Sequence, residues 1–301
     1  MKPKLGLVLG SGAARGWAHI GVIRALTAAG FTPDVVAGCS SGAFVGAAYA
    51  DGGLDKLERW VTSLTWNEVL ALVDVSFSGG LIKGERLIDF FQQHFIDHDF
   101  SGLAIPFACV ATDLATGREV WLREGSVTTA VRASIALPGL LRPVLRDDLL
   151  LVDGGLVNPV PVTLCRAMGA EIVIAVDLSS DRMRSAEGHG QDAVANPASI
   201  ADQNDSGWIT RLRKSLSRPR QANGELLPSM AEVVSAGINI MQLRIASSRL
   251  AGEPPDVLLQ PRLGHLALMD YHRGTEAIEE GRDAVVRMLP SIERALSACI
   301  R

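Results

Sequence analysis

The sequence predicts an α/β protein, a central and mostly parallel sheet with helices on both sides. Three observations carry that expectation. Strand-like and helix-like segments alternate along the chain. The run Ile172-Val173-Ile174-Ala175-Val176 is apolar at every position, as a strand buried on both faces must be. Two glycine-framed turns near the start each join a strand-like run to a helix-like one. With 301 residues and 48% hydrophobic content there is material for one large core, and the chain reads as a single domain over 1–301.

Taken in order, Leu5-Gly6-Leu7-Val8-Leu9 is the first strand. Gly10-Ser11-Gly12-Ala13-Ala14-Arg15-Gly16 follows as a turn whose backbone N–H groups point outward, an arrangement suited to an oxyanion. A helix over 14–29 carries Ile20, Ile23 and Leu26 on one face. Val35-Val36-Ala37 then leads into Gly38-Cys39-Ser40-Ser41-Gly42 and a small-residue helix over 43–50. Strand, serine and helix in that order make a nucleophile elbow, a turn so tight that its flanking positions need almost no side chain.

Short β-rich runs recur at 106–111, Glu119–Leu122, 149–152, 171–177 and 257–260. The run at 149–152 ends in Asp153-Gly154-Gly155, which leaves a carboxylate projecting at a strand's carboxyl end, where the active groups of α/β sheets gather. An aspartate that only caps a turn is the other reading of that spacing. Two helices close the chain. The first is capped at Ser229-Met230-Ala231-Glu232, with Met230, Val233, Val234, Ile238, Met241 and Ile245 as its apolar stripe. The second starts near Asp270, places Ile278, Gly281, Val285, Met288 and Ile292 on one face, and kinks at Pro290.

Residues 180–228 break the pattern, being rich in Ser, Asp, Asn, Gln, Gly and Arg, and are expected to form a polar surface excursion, mobile at least in part. Within it, residues 208–220 carry Arg211, Arg213, Lys214, Arg218 and Arg220 with no acidic residue, while Trp208, Ile209, Leu212 and Leu216 share a helical face. That segment reads either as a peripheral contact for an anionic lipid surface or as a solvated helix pinned by its tryptophan.

A net charge of −4 gives no reason to expect nucleic acid. Cys39, Cys109, Cys165 and Cys299 lack metal-ligand spacing and suit reduced thiols in a cytoplasmic protein, so no metal or cofactor is expected. The apolar stretch after Lys2 and Lys4 is too short for a signal peptide, and the uncharged run 35–50 too short for a membrane span. A soluble protein is the expectation, with peripheral contact at the inner face of the membrane through 208–220. Its oligomeric state is not legible.

The motifs together resemble those of patatin-like phospholipases. Gly10 to Gly16, Gly38 to Gly42 and Asp153-Gly154-Gly155 stand in that family's order, and Arg132-Ala133-Ser134-Ile135-Ala136-Leu137-Pro138 and Ala111-Thr112-Asp113-Leu114-Ala115-Thr116-Gly117 are further family-like segments. The resemblance runs from Leu5 to about Asp177, and the tail resembles the bacterial branch related to neuropathy target esterase. It implies a three-layer α/β/α fold and a Ser–Asp dyad lipid acyl hydrolase without catalytic histidine. Ser40 would be the nucleophile and Asp153 the base. Gly10, Ser11, Gly12 and Ala13 would form the oxyanion hole. Arg15 fits orienting the turn or meeting a phosphate head group, and equally a surface or helix-start role. One departure is Ser11, where the family often has a third glycine.

A dyad asks much of its carboxylate, a weak base at neutral pH unless burial raises its pKa. The apolar residues around Asp153, Leu149 to Val152 and Leu156-Val157, supply that burial. His19, near the oxyanion turn, and His272, in the last helix, are the histidine candidates for the base; His19 is better read as a hydrogen-bonded packing element, and His272 is the weaker of the two. Gly10-x-Gly12 followed by Asp34 imitates a dinucleotide-binding fingerprint, but Arg15 occupies the third glycine position and the serine elbow goes unexplained. The same residues also fit a regulatory, partner-binding protein on this fold, or an acyltransferase using the same serine.

Overall fold

A computed structural model describes residues 3–72, 88, 91–93, 98–179, 220–222, 225–227 and 230–298. Most of the expected excursion and its basic segment, Arg220 excepted, lie outside the described residues, as do Ser229 and Cys299. Ten strands are described: β1 Leu5–Leu9, β2 Val35–Cys39, β3 Phe107–Asp113, β4 Glu119–Leu122, β5 Val144–Arg146, β6 Leu149–Asp153, β7 Ile172–Val176, β8 Arg220–Ala222, β9 Glu225–Leu227 and β10 Val257–Leu259. The described helices are α1 Ala18–Ala28, α2 Ser41–Ala50, α3 Leu54–Ser63, α4 Trp66–Leu72, α5 Val127–Ser134, α6 Val162–Ala167, α7 Met230–Gly252 and α8 Gly274–Ala298.

The sheet has eight strands in the order β10-β7-β1-β2-β3-β6-β5, with β4 also paired to β3. Neighbours from β10 to β3 are parallel; β4, β6 and β5 join antiparallel. β8 and β9 form a separate hairpin. Because side chains alternate across a strand, the central strands feed two cores. Leu5, Leu7 and Leu9 with Ile172, Ile174 and Val176 pack on one side against α1, α2 and α8. Val8, Val173 and Ala175 with Ala108 and Val110 pack on the other against α6 and Ala246 of α7. This is the expected three-layer, mostly parallel α/β architecture.

The structure amends several expectations. The first helix opens as a tight 3-10 turn, Ala13–Trp17, before α1 begins, with Ala13 at φ 50°. α8 begins at Gly274 after a second 3-10 turn, Tyr271–Arg273, and continues past Pro290 to Ala298. Its Ile278, Val285 and Ile292 are buried as the pattern required. Of the stripe assigned to α7, Val233 and Met241 are half or more exposed and Ile238 and Ile245 are partly buried; Ile240, off the stripe, is exposed too. The helix meets the core through Ala246 and Leu250. Apolar residues lie on several sides of α7, so periodicity could not single out the face that packs.

Candidate active site

β2 ends at Cys39, and the chain reverses into α2 through Ser40, whose φ is 54° and ψ −121°. A serine in that region is strained, on the order of 1–3 kcal/mol, and stays there only because its surroundings over-determine it. Gly42 is one such constraint: a Cβ there would land on the Leu9 carbonyl, so the elbow can press against the end of β1 only with glycine. The outcome is a serine hydroxyl aimed at a carboxylate. Ser40 Oγ donates to Asp153 Oδ2 at 2.7 Å.

Asp153 is the last residue of β6 and 1% exposed. Its Oδ1 accepts the Gly155 N–H at 2.7 Å, and Thr112 Oγ1 donates to its carbonyl at 2.8 Å. Burial pushes its pKa from 3.8 up to about 6, against hydrogen bonds from Ser40 and Gly155 that pull it down. A carboxylate so poised is ionised at neutral pH yet a stronger proton acceptor than a free one. Registers explain how two distant residues meet. Cys39 stands opposite Val110 of β3 and Asp153 opposite Ala111, so both strands run out at neighbouring positions of β3.

The glycine turn is narrower as a donor than the sequence suggested. The Gly10 N–H donates to the Val176 carbonyl at 3.1 Å and the Ser11 N–H to the Pro159 carbonyl at 2.9 Å. One amide ties the turn to β7 and the other to the segment before α6, so neither can also face an oxyanion. Among the described residues the Gly12 and Ala13 amides have no such bond, and Ala13 lines the cavity beside Ser40. Gly12 lacks a side chain for a reason other than close approach of substrate: a Cβ would fall 2.5 Å from Leu178 Cδ1.

Arg15 is buried beneath the turn, and its guanidinium donates to the carbonyls of Gly12 at 3.4 Å and Leu178 at 3.0 Å and to Asn239 Oδ1 at 3.3 Å. Those bonds brace the turn against α7. Having 3% exposure, Arg15 is not presented to a head group. His19 Nε2 donates to the Gly10 carbonyl at 2.8 Å, and burial pulls its pKa down to about 4, so a neutral imidazole props the turn from behind. His272 packs edge-on to Trp66 with ring centroids 5.3 Å apart. Neither histidine lines the cavity.

That cavity holds about 150 Å³ and is lined mostly by apolar side chains, among them Trp17, Phe44, Leu137, Leu141 and Met269. Ser40 and Asp153 form part of its lining, and α7 supplies Ile238, Asn239 and Gln242. Tyr271 is there too; burial and the nearby Asp153 charge push its pKa up to about 12, which keeps its hydroxyl protonated. Among the described residues no cluster of His, Cys, Asp and Glu has the makings of a metal site. The Cys109 and Cys165 thiols are buried and pushed up to about 12, which makes them poor nucleophiles.

Of the residues expected at the site, Ser40, Asp153, Ser11 and Ala13 line one cavity, while Gly10, Gly12 and Arg15 shape its edge from behind. Sequence reasoning assigned no role to Ser134, Thr112, Tyr271, Asn239 or Gln242. Ser134 and Thr112 stood inside segments already singled out, but nothing local says what their hydroxyls touch.

The chain that carries this serine, carboxylate and apolar cavity is similar to known proteins. The patatin-like phospholipase family model matches residues 7–166. An uncharacterized NTE family protein of Mycobacterium tuberculosis is 32% identical, the match covering 97% of this chain and 92% of that protein. Human patatin-like phospholipase domain-containing protein 6 is 31% identical over 92% of this chain, which spans 20% of that much longer protein. The structure of VipD from Legionella pneumophila superposes with a TM-score of 0.58 over 97% of this chain and 67% of that one, at 14% identity, a likeness of fold alone. On the family match and the identity to these relatives, the chain belongs to the patatin-like phospholipases.

Proposed function

We propose that the protein hydrolyses acyl esters of lipids, phospholipid or lysophospholipid, through a Ser40–Asp153 dyad. The observation that carries this reading is the 2.7 Å bond from Ser40 Oγ to a buried Asp153 whose pKa stands near 6, inside an apolar cavity. Ser40 attacks the ester carbonyl while Asp153 takes its proton. The tetrahedral oxyanion is met by the Gly12 and Ala13 amides, each such donor being worth about 10²–10³ in rate. Asp153 returns the proton to the leaving alcohol. Water, deprotonated by the same carboxylate, then releases the acid from Ser40. The apolar lining suits an acyl chain, and the resemblance to proteins named lysophospholipase, such as that of Emericella nidulans at 32% identity over 66% of this chain, points to a lipid ester. Peripheral contact with a lipid surface belongs to the same reading.

The test is turnover of a lysophospholipid, a diacyl phospholipid and a short-chain ester by the purified chain and by Ser40→Ala and Ser41→Ala. Turnover of at least one lipid ester is expected, falling to background in Ser40→Ala and staying within about tenfold in Ser41→Ala, which keeps the whole dyad. Undiminished hydrolysis by Ser40→Ala would end the proposal.

A further inference from the structure

Both members of the dyad are tied to a single turn. α5 ends at Ser134, which is completely buried. Its Oγ accepts the Ser40 N–H at 2.9 Å and donates to the Val110 carbonyl at 2.7 Å. Two residues on, the Ala136 carbonyl accepts the Asp153 N–H at 2.9 Å. The same few residues therefore hold the backbone of the serine and of the carboxylate. Val110 is also the β3 residue opposite Cys39, next to the position where β6 runs out.

We propose that Ser134 is a positioning residue that holds Ser40 in its strained elbow and so sets the Ser40–Asp153 distance. This rests on the reading of Ser40 as nucleophile and Asp153 as base. The physical case starts from the lack of an intermediary. In a triad a histidine ring lies between serine and acid and can rotate to find both. A direct hydroxyl–carboxylate bond has no such slack, and lengthening 2.7 Å by about 1 Å takes it out of hydrogen-bond range. Ser40 at φ 54° relaxes unless something holds its peptide. The Ser134 hydroxyl is that restraint, and its single proton is committed to Val110 while a lone pair holds the Ser40 N–H. It also engages the Ser40 amide, which leaves oxyanion binding to neighbouring amides.

A hydroxyl that merely satisfies a buried N–H would affect stability and leave the chemistry alone. The two roles separate in the pH profile. The Ser40 hydroxyl is one of two donors that hold the Asp153 pKa down against burial. If Ser40 drifts, that bond weakens, and the acid limb of kcat/KM moves to higher pH. Of the other groups near the carboxylate, Tyr271 and Cys39 are both pushed up by burial and stay neutral across the window, so they contribute no competing limb.

The experiment compares the parent, Ser134→Ala, Ser134→Thr and Ser40→Ala by thermal melting, by kcat and KM on a soluble ester across pH 4–9, and by rate of fluorophosphonate labelling. Ser134→Ala is smaller than the native residue and vacates only one oxygen. Its kcat and labelling rate are expected to fall together by roughly 10–100-fold with KM within about threefold, the pattern of lost positioning. Its acid limb should shift upward, and Ser134→Thr, which keeps the hydroxyl, should return the limb toward that of the parent. A folded Ser134→Ala with parental kcat and an unmoved acid limb would overturn the inference while leaving the dyad intact. Labelling that persists in Ser40→Ala would instead remove the reading on which it rests.

Discussion

The dyad and the wall contributed by α7 face the same cavity but are held in different ways. Ser40 and Asp153 are 8% and 1% exposed, and their backbone N–H groups are bonded to the last residue of α5 and to the turn just after it. The α7 wall is tethered by long side chains, Arg15 to Asn239 at 3.3 Å and Arg249 to Glu119 at 3.0 Å, while Val233, Ile240 and Met241 are 51%, 59% and 50% exposed. A part-exposed ion pair of that kind contributes about 1 kcal/mol or less. On the proposed reading, the chemistry falls to the region held through its own backbone, and the rest of the substrate meets a wall tethered through side chains. Changes to the first region should act on kcat, and changes to the second on KM.

The largest break is expected at Asp153. Asp153→Asn keeps the shape but removes the proton acceptor, so kcat should fall by roughly two to four orders of magnitude. The same change should stabilise the fold. With the folded pKa raised from 3.8 to about 6, the native state binds the proton more tightly than the unfolded chain does. Stability is thus greatest below about pH 4 and declines as pH rises through about 6, by roughly 3 kcal/mol in all. Asparagine has no such decline. Urea unfolding at pH 4 and pH 7.5 should show the variant gaining on the parent as pH rises, and a variant less stable than the parent at pH 7.5 would contradict the buried-carboxylate account.

A step smaller is the oxyanion turn. In Gly12→Val the new side chain collides with Leu178 and pushes the turn from its place. The loss should be about a hundredfold or more in kcat, with a melting temperature several degrees lower in a protein that still folds. Normal turnover by a folded Gly12→Val protein would move the oxyanion donors elsewhere. The smallest effect belongs to the wall. Gln242→Ala trims a cavity-lining side chain that reaches toward Gly155, and KM for a long-chain ester should rise about two- to tenfold with kcat within about threefold, the equivalent of roughly one lost contact. If kcat fell as far as in Gly12→Val, the distinction between the two regions would fail.

The same division explains what could be read from the chain. The placement of Ser40 and Asp153 at strand ends was legible because each lies in a turn signalled by adjacent glycines after an apolar strand, and the bounds of β1 and β4 follow from runs a few residues long. Once those strands were placed, the expectation of a buried, raised Asp153 needed only the apolar residues around it. The commitment of the Gly10 and Ser11 amides was not legible, because their partners are the carbonyls of Val176 and Pro159, far along the chain. Ser134 reaches Ser40 across 94 positions, and Arg15 reaches Asn239 across 224. β5, three residues long with Leu145 exposed, has too little pattern to register. α7 misled because its apolar residues are spread over more than one face, and only the finished sheet selects which of them pack.

The most direct test of the central claim is the rate at which a fluorophosphonate modifies Ser40, mapped by peptide analysis and followed from pH 4 to pH 9 in the parent and in Asp153→Asn. If Asp153 is the base, labelling of the parent rises with pH to a plateau with its midpoint near 6, and labelling of Asp153→Asn is slow and nearly flat over that range. A midpoint near 6 that survives in Asp153→Asn, or adduct on a serine other than Ser40, would contradict it.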